Sequence, residues 1–263
     1  MNKTVLITGC RGGFGKDTAI ALSKKNYKVI ASTETLKEAE DLKKEFIQNS
    51  ITIQVLKLDI TKKEDRKKIE ELEIDILINN AAIGESGSLS EIDIQKVRNN
   101  FEVNVFSTLE LTQISLKKMI KKGEGKIIFI SSLAGRVTMP FLAPYSMTKF
   151  ALSSGVEALR AELKLLKNNI KIVLIEPGAY NTGFNQKNIA KKFEWMQKES
   201  YFKKDIEKIR NKENKYFDLF EQKNNKSIVK KIVKAVTSKN PKLRYSAPWW
   251  QYYGVQIQRI FGK

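Results

Sequence analysis

The chain of 263 residues contains no histidine and a single cysteine, Cys10. Without histidine there is no Ser-His-Asp triad and no His-ligated metal site. One cysteine excludes an internal disulfide and a Cys-based zinc site, and it points to a reducing compartment. No stretch approaches the ~18 apolar residues that a membrane span requires. The start, Met1-Asn-Lys-Thr-Val-Leu-Ile7, runs straight into a strand pattern without the apolar length of a secretory signal. The cytoplasm is therefore the expected location. No Pro/Gly/Ser linker is long enough to mark a second domain.

Lysine is what the chain has in excess. The formal charge is +19, and only eight of the 48 basic residues are arginine. Residues 185–263 hold 20 Lys/Arg against 7 Asp/Glu, whereas residues 1–184 hold 28 against 22. Such an imbalance attracts nucleic acid, anionic lipid or acidic ligands. Arginine is the residue suited to planar phosphate and base recognition, and it is scarce here. With no nucleic-acid-binding motif present, a lysine-rich solvated surface is expected and nucleic-acid binding is not.

Short β-branched and aliphatic runs alternate with longer charged segments of helical period. Strands are predicted at Thr4–Thr8, Lys28–Ser32, Thr52–Leu56, Ile74–Ile78, Lys126–Ser131, Lys171–Ile175 and Leu243–Ser246. Helices are predicted at 14–25, 35–48, 62–71, 94–121, 144–168 and 227–238. Apolar runs such as Ile127-Ile-Phe-Ile130 fit strands buried on both faces. The alternation implies an α/β fold: a Rossmann-type, doubly wound parallel sheet of about seven strands with helices on both faces. At 41% hydrophobic residues, the chain can fill one core in a single domain spanning 1–263. Residues 183–226, lysine-rich and helical in tendency, read as a substrate lid after the sixth strand. Residues 240–263 form an aromatic C-terminal segment.

Tyr145-Ser-Met-Thr-Lys149 carries the chemistry. On a helix the two outer residues share a face, one turn apart. A phenol titrates near ~10, too high for proton exchange at neutral pH, and an adjacent ammonium lowers it. The pair thus offers acid–base chemistry without imidazole. Upstream, the first strand ends in Thr8-Gly9-Cys10-Arg11-Gly12-Gly13-Phe14-Gly15 before a helix. Glycines here permit a tight turn and close approach of a pyrophosphate to the helix N-terminus.

Together these residues resemble the short-chain dehydrogenase/reductase family, in its single-domain form. Thr8, Gly9, Gly13 and Gly15 match the family's Thr-Gly-x-x-x-Gly-x-Gly pattern, with Arg11 and Phe14 inside the same loop. Asn79-Asn80-Ala81-Ala82 matches Asn-Asn-Ala-Gly with its last glycine replaced. Asp59, followed by Ile60, matches the acidic residue that contacts adenine. Pro177, Gly178 and Thr182 match the pattern at the nicotinamide end. The resemblance implies that Asn104, Ser132, Tyr145 and Lys149 are catalytic. Tyr145 would exchange a proton with an alcohol or carbonyl oxygen, and Ser132 would hydrogen-bond that oxygen. Lys149 would lower the phenol's pKa and bind ribose, while Asn104 would hold a water that relays protons. Ser131 competes for the serine role, but the thirteen-residue offset to Tyr145 favours Ser132.

The implied cofactor is a nicotinamide dinucleotide held by Gly9, Arg11, Gly13, Phe14, Gly15, Glu34, Asp59, Ile60, Asn80, Ala81, Tyr145, Lys149, Pro177, Gly178 and Thr182. Glu34 stands where users of NADP often carry arginine, and a carboxylate there repels a 2′-phosphate. NAD is therefore expected, with NADP the alternative through Arg11. Residues 133–144, apolar apart from Arg136, are expected to line one substrate wall, with Phe184, Phe193, Trp195 and Met196 supplying the lid. These features suit a small-molecule alcohol or ketone of lipophilic character. A 3-oxoacyl-type reductase and a catalytically quiet redox sensor are the alternatives. A homodimer or homotetramer is usual in the family, often through the helices after the fourth and fifth strands. The aromatic C-terminal segment is expected to pack on its own subunit or a partner, with peripheral membrane contact the lesser expectation.

Overall fold

The computed structural model describes residues 3–198 and 200–262. Seven strands form one wholly parallel sheet in the order β3-β2-β1-β4-β5-β6-β7. They are β1 Thr4–Ile7, β2 Lys28–Thr33, β3 Gln54–Lys57, β4 Ile76–Asn79, β5 Glu124–Ile130, β6 Asn169–Pro177 and β7 Arg244–Ala247. The helices are α1 Gly13–Ser23, α2 Leu36–Gln48, α3 Lys63–Lys67, α4 Ile94–Phe101, α5 Thr108–Lys122, α6 Ala143–Leu165, α7 Phe184–Met196, α8 Ile206–Phe220, α9 Lys226–Thr237 and α10 Trp249–Phe261. The doubly wound Rossmann-type fold expected from the alternation is thus present.

The two-faced burial follows residue by residue. Val5 and Ile7 of β1, Ile76 and Ile78 of β4, Ile128 and Ile130 of β5, and Val173 and Ile175 of β6 share one core. Leu6, Leu77, Ile127 and Ile172 pair laterally across the same strands and enter the opposite core. Side chains alternate faces with period two, so only an unbroken apolar run can satisfy both layers. On the first face lie Ala19 and Leu22 of α1 with Ile228 and Ile232 of α9; on the second, Leu111 and Met119 of α5 with Leu152 and Val156 of α6.

Two helices differ from the expected outlines. The one over 62–71 holds α3 only to Lys67 before tightening into a 3-10 turn, Lys68–Glu71. The predicted helix over 94–121 is interrupted by a π-helical turn, Glu102–Ser107, between α4 and α5. Thr108 Oγ1 donates to the Val103 carbonyl five residues back, at 3.0 Å, in keeping with that wider turn. The lid contains α7 and α8, and it has its own small core of Phe193, Met196 and Ile206. Lys192 of α7 is buried and paired with Glu213 of α8, which ties the two lid helices together. Among the described residues, no helix is long and apolar enough to cross a membrane.

Candidate active site

In a doubly wound sheet, ligands bind beyond the carboxyl ends of strands where the strand order reverses. Here the reversal lies between β1 and β4, and the glycine turn follows β1 there. Gly9 has φ +69°, and a Cβ on it would lie 2.8 Å from Ala81 Cα. A Cβ on Gly15 would lie 2.6 Å from the Gly9 carbonyl oxygen and 2.7 Å from Asn80 Nδ2. Both positions therefore require glycine. Thr8 Oγ1 accepts from the N–H of Asn80 at 2.9 Å and of Ala81 at 3.0 Å. Asn80 Nδ2 donates back to the carbonyls of Thr8 and Gly9. The β1 and β4 ends are thereby locked into a cradle whose open side is the N-terminus of α1, which suits a dinucleotide pyrophosphate. Gly15→Ala is expected to destabilise the fold by about 1–3 kcal/mol through overpacking and to weaken dinucleotide binding. Thermal melting and NADH titration of the variant check this.

Not every residue expected at the cofactor offers its side chain. Phe14 packs edge-on against Tyr180, centroids 5.3 Å apart, and joins the core. Ile60 is buried in the opposite core, and its carbonyl accepts from Arg66 Nη1 at 2.6 Å. These two have only backbone to present. Asp59 Oδ1 accepts from Thr61 N and Oγ1, at 2.9 and 2.7 Å. Its own N–H donates to buried Asp65, a residue the motif reading passed over. Glu34 is exposed just beyond β2, and its pKa is raised by partial burial and then by neighbouring Asp59 and Glu38. Arg11 is ion-paired with Glu38 at 2.9 Å. The adenosine end thus carries an acidic collar that engages its nearest arginine.

Ser132 caps a short turn, Leu133–Gly135, its Oγ accepting from Ala134 N at 3.0 Å. It also donates to the Pro177 carbonyl at 3.4 Å and lies near enough to the Tyr145 phenol to favour its ionised form. Ser131 instead turns into α6 packing, 2.8 Å from Ser153 Oγ. Tyr145 and Lys149 share a face of α6, with Lys149 Nζ 5.6 Å from the phenol ring centroid. Lys149 is buried, and its Nζ donates to the Ile130 carbonyl at 2.9 Å. Burial dominates both groups: it pushes the phenol above its ordinary value, against the influence of Ser132, and pulls the ammonium down to about 8. Burial thus works against the lowering of Tyr145 expected from Lys149.

Asn104 lies on the π-helical turn, buried. Its Nδ2 donates to the Ile83 carbonyl at 2.8 Å and to Thr148 Oγ1 at 3.0 Å, and its Oδ1 accepts from Ile83 N at 2.9 Å. Both amide hydrogens are committed, so the side chain clamps the loop following β4 to α6. Little of it is left to hold a relay water.

The loop after β6 closes the site. Thr182 stands over the glycine turn, its Cβ 3.2 Å from where a Cβ on Gly13 would be. Ala179 N donates to Gln251 Oε1 at 2.7 Å, and Gln251 Nε2 donates to the Phe220 carbonyl at 2.7 Å. A Cβ on Gly178 would collide with Gln251. Gln251, absent from every motif, thus latches this turn to the end of α8. Phe184 of the lid lies against Tyr145, ring centroids 5.8 Å apart. Trp195 covers Gly87, whereas Phe193 and Met196 face the lid's own core. Arg136, expected on the substrate wall, is turned away: its Nε donates to buried Glu176 at 2.8 Å, where Arg244 also pairs.

Similarity to known proteins covers most of the chain. The family described as short chain dehydrogenase matches residues 3–192, and the chain belongs to that family of oxidoreductases. Bovine 17-beta-hydroxysteroid dehydrogenase type 6 is 31% identical over 271 residues, covering 94% of this chain and 81% of its own. Bacterial oxidoreductases 33–34% identical align over 66–68% of their own length. A short-chain dehydrogenase from Streptomyces avermitilis shares the fold with TM-score 0.77 at 22% identity, over 100% of this chain and 94% of its own. The structure of ElxO with NADP bound is 29% identical, with TM-score 0.65, over 73% and 79% of the two chains.

Proposed function

We infer that the protein interconverts an alcohol and a carbonyl with a nicotinamide dinucleotide, Tyr145 acting as general acid or base. One observation carries the reading: the Tyr145 phenol meets Ser132 and Lys149 at the β5–β6 end of the sheet, beside the glycine cradle. Tyr145 would pass its proton to the substrate oxygen, or remove one from it. Ser132 would hold that oxygen within reach of the phenol. Lys149 would anchor the ribose and keep positive charge behind the phenol, with Asn104 holding the loop after β4. The dinucleotide, held by the Gly9–Gly15 cradle and the Pro177–Thr182 loop, supplies or accepts the hydride.

Aromatic cover at Tyr145 and likeness to a steroid dehydrogenase support a lipophilic substrate. Nicotinamide absorbance across alcohols and ketones of graded length and polarity tests this. Preference for short polar substrates would overturn the lipophilic reading, and no turnover on any would remove the reaction itself. Exposed Phe106, Met147 and Phe150, on the turn and helix around α5 and α6, support association through these elements.

NAD is the proposed cofactor, because Glu34, Glu38 and Asp59 surround the adenosine end and Glu38 engages Arg11. Wild type should bind NADH more tightly than NADPH. Glu34→Ala should narrow the gap by about tenfold, the worth of one charge-assisted contact of ~1.4 kcal/mol. Tighter NADPH binding by wild type would refute the assignment despite the NADP-bound likeness.

A further inference from the structure

The C-terminal helix α10 leaves a large apolar strip in solvent. Trp249, Tyr253, Ile257, Ile260 and Phe261 fall within about a third of the helix circumference at 100° per residue. All five are more than half exposed, and no residue of the helix is fully buried. The rest of the helix turns to the protein: Trp250 packs on Phe220, Tyr252 lies under Arg136, and Gln251 sits between them with Val255 and Gln258 beyond. Gln251 makes the two hydrogen bonds that hold the loop after β6 and the end of α8. Gln256 Nε2, at the boundary, is buried without a hydrogen-bond partner. A helix that merely completed a monomer's core would leave no such second apolar strip uncovered. Here that strip is offered outward as a contiguous face, a feature that marks an interaction surface.

Charge identifies the occupant. After Glu221 the remaining 42 residues contain no Asp or Glu and carry ten Lys and Arg. Lys226, Lys230, Lys231 and Lys234 of α9, with Lys239 and Lys242, are exposed. A second copy brought face to face would bring an equally basic, acid-free segment against this one, and like charge opposes that contact. An anionic lipid surface accepts both features: the apolar strip enters the headgroup boundary and the lysines meet the negative potential. We propose that α10 is a peripheral membrane-docking helix that binds anionic lipid through Trp249, Tyr253, Ile257, Ile260 and Phe261. This does not depend on the reaction assigned above.

The test is flotation of the full-length protein with vesicles of phosphatidylcholine alone or mixed with phosphatidylglycerol, beside the variant Tyr253→Glu/Ile257→Glu. Both substituted side chains are solvent-exposed, so far-UV circular dichroism and melting should match wild type. Wild type is expected to float only with the anionic vesicles, less so in high salt, and the variant to bind about tenfold more weakly. Failure of wild type to bind anionic vesicles overturns the proposal, as does equal binding by the variant. Loss of a dimer in the variant, seen by sedimentation velocity without any lipid binding in wild type, assigns the strip to a second copy and overturns it too.

Discussion

Tyr145→Phe is expected to lower turnover by about 10²–10⁴-fold, the usual worth of a positioned general acid or base. NADH binding should survive largely intact, because the substitution removes one hydroxyl and keeps the ring that packs on Phe184. Burial holds the phenol protonated beyond its ordinary range, with Ser132 pulling the other way. Carbonyl reduction, which needs the protonated phenol, should therefore show little pH dependence across neutrality. Alcohol oxidation needs the phenolate and should rise with pH. Stopped-flow measurement in both directions checks the pair of expectations. Unchanged turnover by the variant with any accepted substrate would remove Tyr145 from the chemistry.

Lys149→Met is expected to abolish turnover and to alter how stability depends on pH. The Lys149 ammonium is buried with one carbonyl partner, and burial draws its pKa down to about 8 from an unfolded value near 10.5. Below pH 8 both states are protonated, and the fold bears the full cost of the buried charge. Between pH 8 and 10.5 the unfolded chain still binds a proton that the folded protein has released, so stability rises with pH. Above 10.5 that cost is gone. At ~1.4 kcal/mol per pKa unit the swing is about 3 kcal/mol. Wild type should gain roughly that much relative to the variant between pH 7.5 and 10.5, read from denaturant unfolding of the cofactor-free proteins. Lys126, another buried lysine drawn down to about 8, contributes equally to both chains and cancels. Parallel stability curves would show that burial does not govern Lys149.

The sheet was legible because its signal is local and repeated. Each apolar run must fill two cores, so every strand declared itself, with ends within two residues of the observed ones. The glycine turn was legible for a similar reason: at Gly9 and Gly15 backbone geometry leaves room for no side chain. What escaped depends on long-range pairing. Arg136 reads as a polar residue in an apolar wall until Glu176, forty residues on, is seen to claim it. The π-helical turn at Glu102–Ser107 leaves the apolar periodicity of its flanking helices nearly intact, so 94–121 reads as one helix. The C-terminal segment read only as aromatic; that it forms α10, and which of its residues turn inward, depend on packing that its composition does not encode.

The latch made by Gln251 sets an order of assembly. The residues matching the family end at 192, and the seven-stranded sheet is complete at Ala247. Yet Ala179, in the loop closing over the glycine turn, has its N–H satisfied by Gln251. A chain cut after β7 would retain every motif and every strand and still leave that loop unfastened at its base. The candidate site is thus fastened by a segment beyond the residues that match the family, and an expression boundary drawn by motif alone would sever it.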